Sequence, residues 1–352
     1  MVGWPDRRFA DLVGTEHPII QAPMAGAAGV DLCIAATRGG ALGSLPCGML
    51  SPEQVRAQVG EVRRDVRGPI SLNFFCHAMP ATADDSAWRA LLAPYYHEFG
   101  VEPSNGGALR LPFDEAMCAV VEEVRPEAVS FHFGLPASDL LDRVRATGAT
   151  IIGNATTVHE ARYLDQRMVD AIIAQGAEAG GHTGRFLGSD PAEAIGLFAL
   201  LPQVADAVSV PVIAAGGIGD ARGIAAAFLL GASAVQLGTA YLHTPEARIS
   251  DAYRRALGTG PTVMTNLMTG GLARGLRGRL VDELGAVRAE APQYPMASAA
   301  LAPVRSAAEE RGEFGFGPMW AGQAAALGEP LPADELTRKL AAVALAILAG
   351  RS

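Results

Sequence analysis

The 352-residue sequence has little cysteine, and none of it is arranged for metal or dithiol chemistry. Cys33, Cys47, Cys76 and Cys118 are far apart and form no CxxC pair, so they read as reduced thiols packed as small apolar side chains. No grouping of His, Asp and Glu has ligand spacing, and no metal site is expected. Basic charge is scarce too: 28 Lys and Arg face 37 Asp and Glu, a net charge of −9. No basic run forms a stripe that tracks phosphates, which argues against nucleic acid as a partner. No segment holds the ~18 uninterrupted apolar residues of a membrane span, and the opening MVGWPDRRFADLVG lacks an apolar signal core. A cytoplasmic protein with no membrane partner is the expectation. Internal repeats of solenoid length are absent as well.

What is present is apolar material, 49% hydrophobic against 18% charged, enough to offset chain entropy and to build one large core with an appended segment. Eight short apolar runs recur: HPIIQAPM (17–24), ALGSL (41–45), PISLNFF (69–75), EAVSFHF (127–133), ATIIGNA (149–155), VDAIIAQG (169–176), PVIAAGG (211–217) and SAVQLGT (233–239). Between them lie Ala-rich amphipathic stretches, the pattern of parallel strands buried on both faces and joined by crossover helices. An open doubly wound sheet alternates in the same way. Nearly every run here ends in a polar or glycine cluster, however, which gathers chemistry at one rim and favours an α/β fold closed as a (β/α)₈ TIM barrel.

The connection from 76 to 126, with AWRALLAPYYHEFG inside it, is longer than one helix needs and reads as an insertion over the mouth. From 244 to 318 the spacing turns irregular and rich in Gly and Pro. This segment is assigned to a small, mostly helical second domain covering the barrel mouth, leaving 1–243 and 319–352 to the barrel. The ending LTRKLAAVALAILAG returns as an amphipathic helix against the barrel.

Two stretches carry candidate chemistry. AQGAEAGGHTGRF (174–186) leaves a strand and enters a loop in which Gly176, Gly180, Gly181 and Gly184 surround His182, and such glycines let backbone approach a ligand closely. A lone histidine is more often packed or on the surface, but the C-terminal end of a barrel strand is where reacting groups sit. PVIAAGGIGDARGIAAAFLLGASAVQLGTAYL (211–242) offers two consecutive βα turns with free N–H groups beside helix N-termini, a phosphate cradle. AAGGIG alone reads as a tight turn; its pairing with QLGT one unit later favours the cradle. No acidic residue ends a following strand, so dinucleotide-fold logic fits poorly.

The chain resembles the nitronate monooxygenase family, formerly called 2-nitropropane dioxygenases, which shares its barrel with FMN-dependent enoyl-ACP reductases. The resemblance rests on PIIQAPMAG, LNFF, AQGAEAGGHTG, PVIAAGGI, AVQLGT, TN…ARGL and GPMWAGQAA, and thins between 78 and 126 and between 283 and 313. It implies FMN as cofactor, with backbone at Ala22, Pro23 and Met24 beside the isoalloxazine ring and Gly180 and Gly181 against it. Asn73 and Gln175 then hydrogen-bond the ring's polar edge or the ribityl chain. Gly216, Gly217, Gln236, Gly238 and Thr239 bind the phosphate and its approach, and His182 matches the catalytic histidine.

On residues alone, Asn73 is equally a capped strand end, Gln175 a polar loop residue and Met24 barrel core. His77 and His159 read as surface or packing residues, and His132, at the fourth strand's rim, as a candidate for the substrate pocket. The implied reaction oxidises an alkyl nitronate with O2 to a carbonyl compound and nitrite. His182 then either removes the α-proton of a nitroalkane as a neutral imidazole or attracts the nitronate as an imidazolium. Two alternatives stand beside it: an NAD(P)H-dependent FMN reductase of an enoyl thioester or quinone, and a non-catalytic barrel binding FMN or a phosphometabolite. Partners are a small nitronate or nitroalkane and O2, with a homodimer left open.

Overall fold

The computed structural model describes residues 3–81, 84–104, 110–188 and 193–350. Its strands are β1 (Ile19–Gln21), β2 (Gly43–Pro46), β3 (Ile70–Phe75), β4 (Ala128–His132), β5 (Thr150–Ala155), β6 (Ala171–Gln175), β7 (Gly181–His182), β8 (Val212–Ala215), β9 (Ala234–Leu237), β10 (Thr262–Thr265) and β11 (Ala273–Leu276). Each of the eight apolar runs supplies one strand of a parallel sheet ordered β1-β9-β8-β6-β5-β4-β3-β2. The ring closes where Leu42 N donates to Ile19 O at 2.9 Å and Gln21 N to Leu42 O at 3.0 Å.

Successive side chains on a strand point to opposite faces, and that alternation divides the barrel. Outward residues such as Leu72, Phe74, Val129, Ile151, Ile172 and Val235 pack beneath the helices in the main core. Inward residues near the strand starts, among them Ile20, Leu42, Ile152, Ile173 and Ile213, form a separate apolar cluster joined by Phe9 and Val13 from the helix Arg8–Val13. Farther along, the same inward columns turn polar at Asn73, Ser130, His132, Asn154, Gln175 and Gln236, which face a cavity. The helix Ala333–Leu348 returns to the barrel as expected, burying Leu336, Leu340 and Ala344 against the helices Val30–Arg38 and Ala221–Leu229.

The long 76–126 connection divides in two, with 82, 83 and 105–109 outside the described residues. The helix Glu115–Val124 is an ordinary crossover packed between Pro52–Asp65 and Ser138–Ala146. The helix Ser86–Phe99 leaves the barrel. It spaces Trp88, Leu92, Tyr95, Tyr96 and Phe99 along one apolar stripe, ends at Gly100 with φ +66°, and packs on the helix Ala297–Glu310. Together they make a second core with Leu301, Val304 and Phe316, pinned by Trp88 Nε1 donating to Ala297 O at 3.2 Å and Tyr96 Oη to Ala300 O at 2.8 Å.

The expectation of a plain loop around His182 is corrected by a small antiparallel sheet: β10 pairs with β11, and β11 pairs with β7 through Ala273–His182 and Arg274–Gly181. No helix among the described residues is long and apolar enough to cross a membrane.

Trp88 is fully buried, and Trp88→Ala is expected to lower unfolding free energy by about 3–5 kcal/mol, read as a shift in the chemical-denaturation midpoint. A midpoint equal to wild type would show that this core adds nothing to stability.

Candidate active site

The C-terminal ends of the barrel strands open into a cavity of about 420 Å³, in the range of small-molecule sites. Beside it lies a smaller cavity of about 80 Å³. Pro23, Met24, Asn73, His132, Gly181 and His182 line the first, Gly216, Gly217 and Gly238 the second, and Ala22, Gln175, Gly180, Gln236 and Thr239 both. The residues assigned to cofactor, substrate and catalysis from the sequence thus border two adjoining spaces, while Gly176 and Gly184 line neither. His159 is exposed on a barrel helix, and no cysteine lines either cavity. Burial pushes the Cys33 thiol up to about 12, the state of an inert packed thiol.

Hydrogen bonding sorts the polar rim into committed and open groups. Gln175 is committed: its Oε1 accepts from Asn154 Nδ2 at 3.2 Å and Gly184 N at 2.7 Å, and its Nε2 donates to His182 O at 3.0 Å. Asn73 gives Nδ2 to Ser130 O and Oγ, at 3.2 and 2.9 Å, and its Oδ1 accepts from no described residue. The Gln236 carboxamide has no protein partner among the described residues and borders both cavities.

Two glycines are set by space and conformation. A Cβ on Gly184 would lie 2.0 Å from Asn154 Nδ2 and 2.7 Å from His132 Cε1, so a side chain there would break the clamp on His182; Gly217, at φ +68°, adopts a backbone L residues rarely enter. The segment GPMWAGQ crosses the same rim, with Gly322 N donating to Thr239 Oγ1 at 2.9 Å.

His182 Nε2 lies 2.8 Å from Thr269 Oγ1, and its ring meets Tyr294 and Trp320 edge-on with centroids 5.1 and 5.4 Å apart. Thr269 is buried, 87 residues from His182, and was missed in the sequence because TNLMTGG looks like any turn; only the β7–β11 register brings it here. The hydroxyl has Gly271 O as a second acceptor at 3.5 Å. In that arrangement it accepts from Nε2–H and leaves the Nδ1 lone pair as the ring's basic site. Burial, then the positive charge of Arg110, with His132 and His77 adding, pushes the His182 pKa down to about 3. Burial likewise lowers His132 to about 4, opposed by a hydrogen bond to the His182 backbone. Burial thus favours the neutral form of both rings near pH 7. No group of three or more His, Cys, Asp or Glu able to hold a metal occurs among the described residues.

An unfolded histidine titrates near ~6.5, so below that pH the unfolded chain binds protons that the folded rings refuse. Stability therefore falls as pH drops from about 6.5 toward the native values, by up to about 1.4 kcal/mol per pH unit for each ring. Urea midpoints between about pH 7 and about pH 4.5 should show the decline, and His182→Gln, which cannot be protonated, should flatten it. An unchanged slope in that variant would contradict the neutral assignment.

The family model described as "Nitronate monooxygenase" matches residues 6–342. A nitronate monooxygenase of Paraburkholderia phytofirmans is 42% identical over 344 residues, 95% of this chain and 94% of that protein. A nitroalkane oxidase structure from Streptomyces ansochromogenes superposes with a TM-score of 0.90 at 35% identity, covering 97% of this chain and 99% of that one. A FabK structure from Thermotoga maritima reaches 0.75 at 26% identity, covering 98% and 97%. Together with a rim that gathers the motif residues around a neutral histidine, these likenesses establish that the chain belongs to the nitronate monooxygenase family.

Proposed function

We propose that this protein oxidises alkyl nitronates with FMN and O2 to a carbonyl compound and nitrite. The observation that carries the reading is the shared wall of the two cavities: an imidazole faces the larger, glycine backbone lines the smaller, and Ala22, Gln175, Gly180, Gln236 and Thr239 border both. A flat ring with an anionic tail spans such a pair.

The donor set fits FMN. The backbone turns at Gly216, Gly217 and Gly238 and the Thr239 hydroxyl suit a phosphate. Gln236 and the Asn73 Oδ1 offer open polar groups to the ring edge and ribityl chain, while Ala22, Pro23 and Met24, with Gly180 and Gly181, form the apolar and backbone walls. Gln175 serves chiefly to hold the His182 loop, since its carboxamide is already engaged. FMN, when bound, supplies the electron acceptor for the nitronate and the reaction with O2.

The remaining work belongs to the chain. A neutral His182, steadied by Thr269, takes the α-proton of a nitroalkane at the nitrogen the threonine does not hold. The aromatic rings of Phe133, Tyr294 and Trp320 exclude water around it. Segment 244–318, together with Ser86–Phe99, covers the mouth and limits solvent access.

Stopped-flow mixing under anaerobic conditions tests the reading. Bound flavin should bleach rapidly with a nitronate and slowly with NADH or NADPH; bleaching by the nicotinamides alone would make it a reductase instead. His182→Ala should keep the yellow colour and lose about 10²–10⁴-fold of nitroalkane turnover, and Thr269→Val should lower the same rate by about tenfold or more. In contrast, Gly217→Asp should lose flavin, because a side chain at φ +68° strains the turn and adds negative charge beside the phosphate cradle; a fully loaded variant would contradict the cradle.

A further inference from the structure

Three arginines line the large cavity, Arg110, Arg248 and Arg305. Two already have carboxylates: Arg305 Nε meets Glu309 Oε1 at 2.9 Å and Arg248 Nη2 meets Asp31 Oδ2 at 3.3 Å. The Arg110 side chain forms no ion pair and no hydrogen bond with any described residue; its position is marked only by its backbone O, which lies 3.0 Å from His77 Nε2. Other arginines without partners, such as Arg64, Arg67, Arg162 and Arg255, are exposed to solvent, where water serves them. Arg110 is half-buried, and burial lowers its pKa against the opposing influence of Tyr294. A cation taken out of water without a counter-charge is costly.

Among the described residues, no other unpaired positive group lines this cavity. The chain's single lysine, Lys339, is ion-paired with Glu329 on the C-terminal helix. His182 and His132 are neutral near pH 7. The charge of Arg110 also reaches His182, where it is the largest influence after burial, so guanidinium and imidazole act in one space. Among the described residues, the wall of the cavity thus holds one uncompensated positive charge, in the same space as its basic nitrogen.

We propose that Arg110 is the anion-binding residue of this active site, holding the negatively charged O–N–O group of the nitronate. This rests on the nitronate reading given above. The nitronate presents two oxygens on a planar centre, as a carboxylate does, and the guanidinium fork matches that shape with two parallel hydrogen bonds. Arg110 therefore favours the anion over the neutral nitroalkane, and small planar anions compete for the same position. His182 and Arg110 divide the labour: the ring takes a proton from the neutral acid, and the guanidinium holds the anion that results.

The test compares flavin-loaded wild type, Arg110→Gln and Arg110→Lys, using KM for a nitronate and for its parent nitroalkane, and titration of the flavin absorbance with sodium nitrite. Arg110→Gln should raise the nitronate KM and weaken nitrite binding by about tenfold or more, with flavin content and melting temperature kept and the nitroalkane KM changed much less. Arg110→Lys, which keeps the charge without the fork, should fall between. Wild-type KM and nitrite affinity in Arg110→Gln would overturn the assignment. If Arg110→Gln does not fold, Arg110→Lys decides by the same two readouts, unchanged values overturning it. Should wild type turn over no nitronate, the functional reading fails by itself. The nitrite titration then still judges Arg110: binding lost in the variant supports an anion site, and no binding to wild type removes it.

Discussion

The site depends on one junction, the tie between the His182 strand and two separate parts of the chain. From beneath, the Gln175 carboxamide holds the loop by accepting from Gly184 N and donating to His182 O. From above, β11 pairs with Gly181 and His182 as an antiparallel neighbour. Each hydrogen bond is modest by itself, about 1 kcal/mol net, yet together they fix the direction of a short, glycine-rich segment. Gly184 permits this because any side chain there would strike Asn154 and His132.

That junction also decides the electrostatics. By lodging His182 among Phe133, Tyr294 and Trp320, it withdraws the ring from bulk water, and burial then outweighs every other influence on its protonation. An imidazole that stays neutral serves as a base but supplies no charge to an anion. The cavity's free positive charge sits instead on Arg110, whose guanidinium lies outside the pairs that neutralise Arg248 and Arg305. Base and cation are separate groups, so each keeps its state across the neutral pH range.

The second core explains why a barrel that could close with eight βα units carries so much additional chain. The helix Ser86–Phe99 and the helix Ala297–Glu310 bury Trp88, Leu92 and Val304 against one another, while β10 and β11 lead from that layer to the His182 strand. The outer layer is therefore tied to the His182 strand by backbone pairing.

The eight strands were legible in the sequence because strands buried on both faces must be nearly continuous apolar runs, and the polar ends of those runs marked the rim. His182 and the two glycine turns were legible for a related reason: glycine clusters at strand ends are a local signal. Helix Ser86–Phe99 showed its apolar stripe but not its partner, since nothing local says that Trp88 meets Ala297 across 209 residues. Thr269 and Arg110 carried no signal, because a hydroxyl becomes a histidine's partner, and an arginine a lone cation, only through what the fold puts beside it. The sequence by itself determined the barrel, the rim and the histidine, all set by periodicity and backbone freedom. The tertiary structure alone decided the protonation of that histidine and the placing of charge around it, because burial and proximity are properties of the folded surroundings.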